Sequence, residues 1–362
     1  MYRRLRPFVS ISISGSKRFN SKSNNSPNPI RLDEKVITDK FSALRERYEA
    51  PKYPVVLCHG FSGFDQLNFM PHHERFEKLI FNGELLKLDY WYGIKEALEN
   101  VGAKVLIAKV PAFGSIEERA TDLNTYINTQ CKQLRKVETK ESMYNKASKD
   151  KKSETFEEKG KKIKINLIAH SMGGLDSRYL ISKLEHPEYQ IVSLTTVSTP
   201  HHGSECADFI IDILQNRKIL NKICPKSVSE LTTDALQDFN KKIKDDPKVS
   251  YFSYGARFKP HWYNIFRITW GIIKSRLLKS DKLNQNEKKR LKSIDNDGIV
   301  SVESSKWGTY LGTLDEVDHL DLINWTNRTR TAIDKALFRK EPKFNAIALY
   351  LDIADNLRKR GF

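Results

Sequence analysis

One stretch, residues 163–175, constrains the fold of this chain more than any other. It opens with apolar, β-prone residues, a pattern that predicts a buried strand. From Leu175 onward, apolar residues recur at helical spacing, which predicts a helix. Strand and helix are joined directly by the residues His170-Ser171-Met172-Gly173-Gly174. Strand, tight turn and helix in this order form the basic unit of an α/β fold.

Ser171 stands at the corner of this unit. A serine on such a strained turn has its hydroxyl exposed above the edge of the sheet. Gly173 and Gly174 are the small residues that the close approach of strand and helix requires, and Ala169, where such turns usually carry glycine, is also small. The free N–H groups at the helix start suit a developing negative charge. Because a short pattern of this kind also arises by chance, Ser171 is a candidate nucleophile that the rest of the chain must support.

Strand and helix patterns alternate along most of the sequence. Strands are predicted at 53–60, 104–110, 163–168, 192–197 and 248–256, and helices at 35–49, 89–98, 116–134 and 345–360. This alternation predicts an α/β protein with a mostly parallel central sheet flanked by helices. With 362 residues, the chain is long enough for one such domain with insertions or for two smaller domains.

Two segments interrupt this pattern. Residues 136–162 are highly charged and have few apolar side chains, so we expect a surface insertion that cannot fold alone. Residues 206–290 form a possible lid or cap region. Within them, the apolar run Ala207–Leu214 fits either a helix packed on the core or a mobile lid over a site. We place both segments inside a single domain that spans residues 33–362.

The first 32 residues have a different composition from the rest. They contain seven Lys or Arg residues, no acidic residue and many serines. This composition is typical of a mitochondrial presequence followed by a linker, and it predicts a mitochondrial protein. A disordered basic tail is the alternative interpretation. A secretory signal is disfavoured because no continuous apolar core follows the arginines.

Bulk properties exclude several other classes of protein. The net charge of +17 is concentrated in residues 1–32 and 132–162, and no recognition motif or basic patch interleaved with aromatic residues accompanies it. Nucleic acid is therefore not an expected partner. No apolar run approaches the roughly 18 residues that span a bilayer. The four cysteines contain no CxxC pair, so we expect mostly reduced thiols and no zinc site, although one disulfide bond stays possible.

Two later segments supply the partners that a serine nucleophile needs. A neighbouring imidazole must accept the hydroxyl proton, and a carboxylate must orient that imidazole. Asp297 lies in an Asp-Gly turn and His319 follows it, which gives the order serine, aspartate, histidine found in α/β-hydrolases. Asp-Gly is also a common turn signal, and Asp295 in the same turn remains a possible substitute for Asp297.

The loop after the strand at 53–60 is a candidate oxyanion loop. It reads His59-Gly60-Phe61-Ser62-Gly63. In serine hydrolases, a backbone N–H of this loop joins the N–H that follows the nucleophile in binding the oxyanion. The candidates here are Phe61 and Met172. For His59 we predict a structural role, with its ring bonded to the loop backbone, because it precedes the serine and occupies this loop.

Six motifs occur in one order along the chain: HGFSG at 59–63, YWYGI at 90–94, HSMGGL at 170–175, TPHHGSE at 199–205, NDG at 296–298 and HLD at 319–321. Together they resemble the triacylglycerol lipases of the Pseudomonas and Burkholderia type and the mitochondrial triacylglycerol lipases of yeast. The similarity covers about residues 50–360, except 136–162 and most of 206–290. It implies an α/β-hydrolase fold with Ser171 as nucleophile, Asp297 as acid, His319 as base, and Phe61 and Met172 as oxyanion donors.

The same resemblance bears on metals and disulfide bonds. The bacterial lipases carry a structural calcium ion near the histidine loop, and Asp321 matches one of its ligands. Trp325 stands where a matching glutamine is expected, and the second aspartate has no clear counterpart. The bacterial disulfide bond also has no evident equivalent. We therefore expect no metal and no other cofactor.

The predicted function is that of a serine esterase or lipase acting on acylglycerols or other lipid esters. Peripheral contact with a lipid surface is expected to accompany it. Two alternatives stay open. The same catalytic groups serve phospholipases and acyl-thioesterases, and a hydrolase scaffold can also bind acyl chains or membranes without catalysis.

Overall fold

The strand patterns assemble into one parallel sheet. The computed structural model describes residues 35–60, 90–111, 113–147, 162–216, 224–262, 264–279, 295–325 and 344–362. The strands are β1 (Val36–Ile37), β2 (Val55–Cys58), β3 (Val105–Ala108), β4 (Ile163–His170), β5 (Tyr189–Val197), β6 (Ser250–Arg257) and β7 (Thr309–Asp315). They lie in the order β1-β7-β6-β5-β4-β2-β3, and each neighbouring pair is parallel. The predicted α/β class is confirmed.

Helices connect the strands and cover the sheet. They are α1 (Ile94–Asn100), α2 (Ile116–Ala147), α3 (Gly173–Lys183), α4 (Glu205–Asn216), α5 (Lys226–Ser229), α6 (Thr233–Lys242), α7 (Arg267–Lys279), α8 (Val302–Ser305) and α9 (Ala346–Lys359), with a 3₁₀ turn at Asp321–Ile323. The C-terminal helix, predicted at 345–360, is confirmed. In the described residues, no helix is long and apolar enough to span a membrane.

Strand β2 shows how the sheet separates two hydrophobic cores. Val55 and Leu57 belong to a cluster that includes residues of α1 and α9. Val56 and Cys58 point to the other side and join a cluster with residues of α2 and α3. Because alternate residues of a strand face opposite sides, burial on both faces requires the continuous apolar run that the sequence has here. The central strands therefore hold their carboxyl ends at one well-fixed edge.

The helix predicted at 35–49 is wrong. Val36 and Ile37 instead form an edge strand that pairs with β7, and the residues that follow are turns. Arg45 in this segment donates hydrogen bonds to Asp352 and Asp355 of α9, at 3.0 and 2.9 Å. Pairing with the sheet and ion pairs to a distant helix override the local helical preference, which is only a weak determinant.

The long helix α2 differs from the prediction at its C-terminal end. It was predicted to end at residue 134, but it continues to Ala147 and includes the first part of the charged segment 136–162. Lys and Glu are good helix formers, and extending an existing helix costs far less than starting one. Residues 148–161 lie outside the described part of the chain.

Candidate active site

The turn between β4 and α3 places Ser171 at the carboxyl edge of the sheet. Ser171 has a positive φ of 56°, which is uncommon for a residue other than glycine. Its N–H donates to the carbonyl oxygen of Val197 on the adjacent strand, at 3.0 Å. A Cβ atom at Gly173 would lie only 2.6 Å from the carbonyl oxygen of Cys58, so a larger residue would clash there. The serine with positive φ and the glycine two positions later form the geometry of a nucleophile elbow.

Three side chains predicted from distant segments form a continuous chain of hydrogen bonds. The Nε2 atom of His319 lies 3.0 Å from the Ser171 hydroxyl oxygen, and its Nδ1 atom lies 2.6 Å from Asp297 Oδ2. Because a carboxylate only accepts hydrogen bonds, Nδ1 carries the proton, and the lone pair of Nε2 faces the serine. This arrangement suits an imidazole that accepts the hydroxyl proton.

Asp297 is itself held in place. Its second oxygen, Oδ1, accepts the N–H groups of Ile299 and Val300 at 3.0 and 2.8 Å. Its carbonyl oxygen accepts the N–H of His319 at 3.0 Å. The Asp297 side chain is fully buried, so this turn fixes both the acid and the backbone of the histidine loop.

The structure separates the two acids of this turn, a choice that the sequence left open. Asp295 forms an ion pair with Arg257 at the end of β6, and Arg257 also pairs with Asp315 at 2.8 Å. Only Asp297 is hydrogen-bonded to the imidazole of His319.

Met172 follows the serine directly and is the N-cap residue of helix α3. Among the described residues, none accepts a hydrogen bond from its N–H, and its side chain is fully buried. The N–H therefore remains available at the N-terminus of a helix, where the helix dipole favours negative charge. Phe61, the other predicted donor, lies outside the described residues.

Gly60 is the last described residue before Phe61, and its peptide groups are firmly held. Its N–H donates to the Tyr90 hydroxyl at 3.0 Å. Its carbonyl oxygen accepts a hydrogen bond from Arg119 at 3.1 Å, as does the carbonyl oxygen of His59. The end of β2 is thus positioned by two side chains from other elements.

Arg119 is fully buried beside His59 and Gly60. Its guanidinium contacts Asp176 Oδ2 at 2.8 Å and donates to the carbonyl oxygen of Pro111 at 2.7 Å. Burial raises the pKa of Asp176 to about 6, although the charge of Arg119 acts in the opposite direction. This ion pair connects α2, α3 and the loop after β2.

Sequence reasoning missed Arg119, although a signal was present. Residues 116, 120, 123 and 127 form the apolar stripe of α2, and position 119 lies on that same face. A charged residue on an apolar stripe indicates a buried ion pair. Tyr90 was noticed as part of a motif, but its contact with Gly60 was not predicted.

The predicted structural role of His59 is confirmed. Its Nε2 atom accepts the N–H of Val110 at 3.1 Å, and its Nδ1–H donates to the carbonyl oxygen of Gly60 at 2.9 Å. Burial lowers the pKa of His59 to about 4, so the ring is neutral at pH 7.

Comparisons with known proteins agree with this architecture. Residues 53–218 match the family model of the alpha/beta hydrolase fold. Triacylglycerol lipase 2 of Saccharomyces cerevisiae is 38% identical, over 94% of this chain and 100% of its own length. A triacylglycerol lipase of Pseudomonas fragi is 26% identical, over 86% of this chain and 97% of its own.

The chain belongs to the triacylglycerol lipase family of α/β-hydrolases. This membership confirms the resemblance predicted from the six motifs, and it makes the protein a serine ester hydrolase. Among solved structures, lipase 1 of Pelosinus fermentans has a TM-score of 0.54 at 18% identity, covering 85% of this chain and 99% of its own. At that level of identity, the likeness supports the fold alone.

In this member of the lipase family, the loop near Asp321 is closed by its own hydrogen bonds. Asp321 Oδ2 accepts the N–H of Asp318 at 3.2 Å, and Asp318 Oδ1 accepts the N–H groups of Leu320 and Asp321 at 3.1 and 3.0 Å. Within the described ranges, no group of three or more His, Cys, Asp or Glu side chains is arranged to hold a metal ion. All four cysteines of the lipase are free thiols.

The possible lid region of this lipase family member contains both peripheral and central elements. Residues 250–257 form β6, which lies between β5 and β7 in the sheet. The region predicted as a possible lid or cap therefore includes a central strand of the sheet. The apolar run Ala207–Leu214 lies in α4. This helix begins beside the turn at residues 295–298, which we call the acid turn, because the Ser204 hydroxyl donates to the carbonyl oxygen of Ile299 at 2.8 Å.

Proposed function

We propose that this protein hydrolyses acylglycerol esters through a covalent acyl-enzyme. Ser171 serves as nucleophile, His319 as general base and Asp297 as the orienting acid. The observation that supports this best is the continuous hydrogen-bond chain from the Ser171 hydroxyl through His319 to Asp297, beside a Met172 N–H that no described residue uses. Membership of the lipase family points to lipid esters as the substrate class.

The reaction proceeds in two halves. The Ser171 oxygen attacks the ester carbonyl carbon while its proton passes to Nε2 of His319, and the resulting imidazolium returns that proton to the leaving alcohol. Water then attacks the acyl-enzyme, with Nε2 again accepting a proton. As the second tetrahedral intermediate collapses, the imidazolium of His319 returns this proton to the Ser171 oxygen, which restores the hydroxyl and releases the fatty acid.

The negative charge of each tetrahedral intermediate requires hydrogen-bond donors that are already in place. We assign this role to the backbone N–H groups of Met172 and Phe61. Loss of one such donor typically lowers turnover by about 10²–10³-fold. Because the donors belong to the backbone, side-chain substitutions there affect activity only through packing.

The proposed function is tested with purified full-length protein and a soluble ester. Ser171→Ala is expected to abolish hydrolysis and labelling by a fluorophosphonate probe, whereas Met172→Ala is expected to retain substantial activity. Equal hydrolysis by the wild type and by Ser171→Ala would overturn the assignment. Absence of a Ser171 adduct in active-site labelling would instead favour a non-catalytic acyl-chain binder.

Substrate profiling then separates enzymes that share these catalytic groups. Triacylglycerol, diacylglycerol, phospholipid and acyl-thioester substrates are compared, with Ser171→Ala as the control for background hydrolysis. Highest kcat/KM on acylglycerols is expected. A clear preference for phospholipid or thioester would reassign the protein to the corresponding class.

We also propose that the protein is mitochondrial, with residues 1–32 as its presequence. The support is compositional, because these residues contain seven Lys or Arg residues and no acid. Deletion of residues 1–32 is expected to leave the protein in the cytosol of cells that import the full chain. Continued mitochondrial import of the shortened chain would contradict this assignment.

A further inference from the structure

Residues 258–262 and 264–279 present an unusual amount of apolar surface. Trp262, Ile265 and Ile268 are 80%, 65% and 75% exposed, more than any other large hydrophobic residue in the described part of the chain. Leu278 is 40% exposed and lies in helix α7, as Ile268 does. We call these four residues the docking patch. Large exposed apolar patches are rare on soluble proteins and commonly mark interaction sites.

Inward-facing neighbours of the patch fix its position relative to the candidate active site. Asn264 donates from Nδ2 to Asp318 Oδ2 at 3.1 Å, beside His319 in the chain. Phe266 is buried, and its ring lies against the Gly298 position in the acid turn. The residues that alternate with Ile265 therefore pack on the loops that carry Asp297 and His319. The patch is a well-anchored surface next to these loops.

Helix α7 carries large apolar side chains on its exposed side as well as on its buried side. Ile273 is fully buried, whereas Ile268 and Leu278 are exposed on another face. That exposed face also carries Gly271, where an added side chain would meet open space. A surface helix of a globular protein normally has one apolar side and one polar side. Ile268 and Leu278 stand out on this otherwise polar side, and the packing of the described residues does not explain them.

The charge of residues 258–279 indicates what kind of partner surface the docking patch can bind. Residues 258–279 contain five basic residues and no acidic residue: Lys259, Arg267, Lys274, Arg276 and Lys279. Arg276 pairs with Asp212 of α4 at 2.8 Å, but Lys259, Arg267 and Lys279 are exposed. Apolar side chains flanked by basic ones are the composition that inserts into the interface of an anionic bilayer.

We propose that the docking patch and its basic residues bind the enzyme to an anionic phospholipid surface. The apolar side chains enter the boundary between headgroups and acyl chains, and the bases contact phosphate groups. Docking in this way sets the loops of Asp297 and His319 close to the lipid. The functional value of this position rests on the proposed hydrolysis of lipid esters, but the binding itself is measurable without turnover.

The test uses the full-length chain carrying Ser171→Ala, so that no lipid is consumed. Flotation with vesicles of phosphatidylcholine, with or without phosphatidylserine, measures partitioning. Binding to the anionic vesicles is expected to exceed binding to neutral vesicles by at least about tenfold, and to fall at high salt. Equal binding to both vesicle types, or no binding, would overturn the proposal.

Substitutions then locate the binding surface. The triple variant Trp262→Ala/Ile265→Ser/Ile268→Ser is expected to lose at least about tenfold in partitioning. Leu44→Ser, which removes another exposed leucine, serves as the matched control and is expected to bind as the parent does. Because the full chain retains the basic residues 1–32 in every variant, unchanged binding by the triple variant would assign the contact to another surface and refute the patch.

A second set of variants tests the charge. Lys259→Gln/Arg267→Gln/Lys279→Gln is compared with Lys183→Gln/Lys242→Gln/Lys248→Gln, which removes equal charge from exposed lysines elsewhere. Each basic residue near an anionic surface contributes roughly a fivefold factor, so the first set is expected to bind far more weakly than the second. Equal losses of binding in the two triple variants would show that net charge alone governs binding, and would overturn the proposed role of the basic residues beside the patch. With Ser171 restored, soluble-ester hydrolysis reports whether each variant is correctly folded.

Discussion

The imidazole of His170 lies against that of His319, with 4.5 Å between the ring centroids, but only His319 is hydrogen-bonded to the serine hydroxyl. Burial lowers the pKa of His170 well below its ordinary value, and the neighbouring His319 lowers it further. The Tyr90 hydroxyl accepts the N–H of Gly60 and donates to Nδ1 of His170 at 2.7 Å. Tyr90 thus connects the end of β2 to His170, the neutral histidine that directly precedes the nucleophile.

This connection predicts a positioning role for Tyr90. Tyr90→Phe removes the hydroxyl that orients Gly60, directly before the proposed donor Phe61. We expect a loss of about tenfold in kcat with little change in KM, because oxyanion donors act mainly in the transition state. Steady-state kinetics on a soluble ester measure it. Tyr92→Phe, in the same motif but with a partly exposed ring, is the control; equal effects of the two substitutions would rule out a specific role for Tyr90.

The two acids in the turn at residues 295–298 are expected to differ clearly in their effect on activity. Asp297→Asn keeps the shape of the side chain but no longer stabilises the correct tautomer or the charged form of His319. We expect a loss of about 10⁴-fold in kcat, as in other triads. Asp295→Asn removes a partner of Arg257 and is expected to lower thermal stability while retaining most of the activity. A large catalytic loss in Asp295→Asn alone would reverse the assignment.

These cases indicate what the sequence can and cannot predict. The turn around Ser171 was predictable because strand, small residues and helix all lie within thirteen consecutive positions, so local patterns suffice. The resemblance to lipases favoured Asp297 over Asp295, but the residues by themselves did not decide, because the choice depends on Arg257, which reaches the turn from β6. Two aspartates only two positions apart differ in which tertiary partner they meet.

The same limit explains the helix wrongly predicted at 35–49. Its residues have acceptable helical spacing, but Val36 pairs with Thr313 on β7, and Arg45 pairs with α9. Those partners lie about 300 positions away, and no local pattern reveals them. The central strands were predictable because their burial on both faces leaves a continuous apolar run in the sequence itself.

The buried pair of Arg119 and Asp176 predicts a strong stability effect. Arg119→Met leaves the carboxylate of Asp176 buried without its partner, which typically costs about 3–5 kcal/mol. Chemical denaturation measures the free energy of unfolding. Adding Asp176→Asn to Arg119→Met is expected to recover part of the loss, because the uncompensated charge is then removed.

Arg135 on the same helix supplies the matched control for this prediction. It pairs with Glu188 at 2.7 Å, but its side chain is 33% exposed. Arg135→Met is expected to cost about 1 kcal/mol or less, since water screens such pairs. If both arginine substitutions destabilised the protein equally, burial would not be the property that makes Arg119 important.

The carboxyl group of Glu205, at the start of α4, predicts a specific pH dependence. Burial raises its pKa to about 7, and the nearby charge of Asp208 also raises it. The folded state therefore holds this proton at pH values where the unfolded state has released it. Stability from this group is fully present below the unfolded pKa of about 4.5 and is lost as the pH rises toward 7, by roughly 3 kcal/mol at most.

Glu205→Gln removes the titrating group and tests whether this group makes the protein less stable as the pH rises. Denaturation curves at several pH values between about 4.5 and 8 are compared for the wild type and the variant. Because His59 and Asp176 titrate in both proteins, their contributions cancel in the difference between the two curves. The variant is expected to gain stability relative to the wild type as the pH rises, with the gain levelling off above pH 7. A difference that stays constant with pH would mean that Glu205 keeps the same pKa in the folded and unfolded chain.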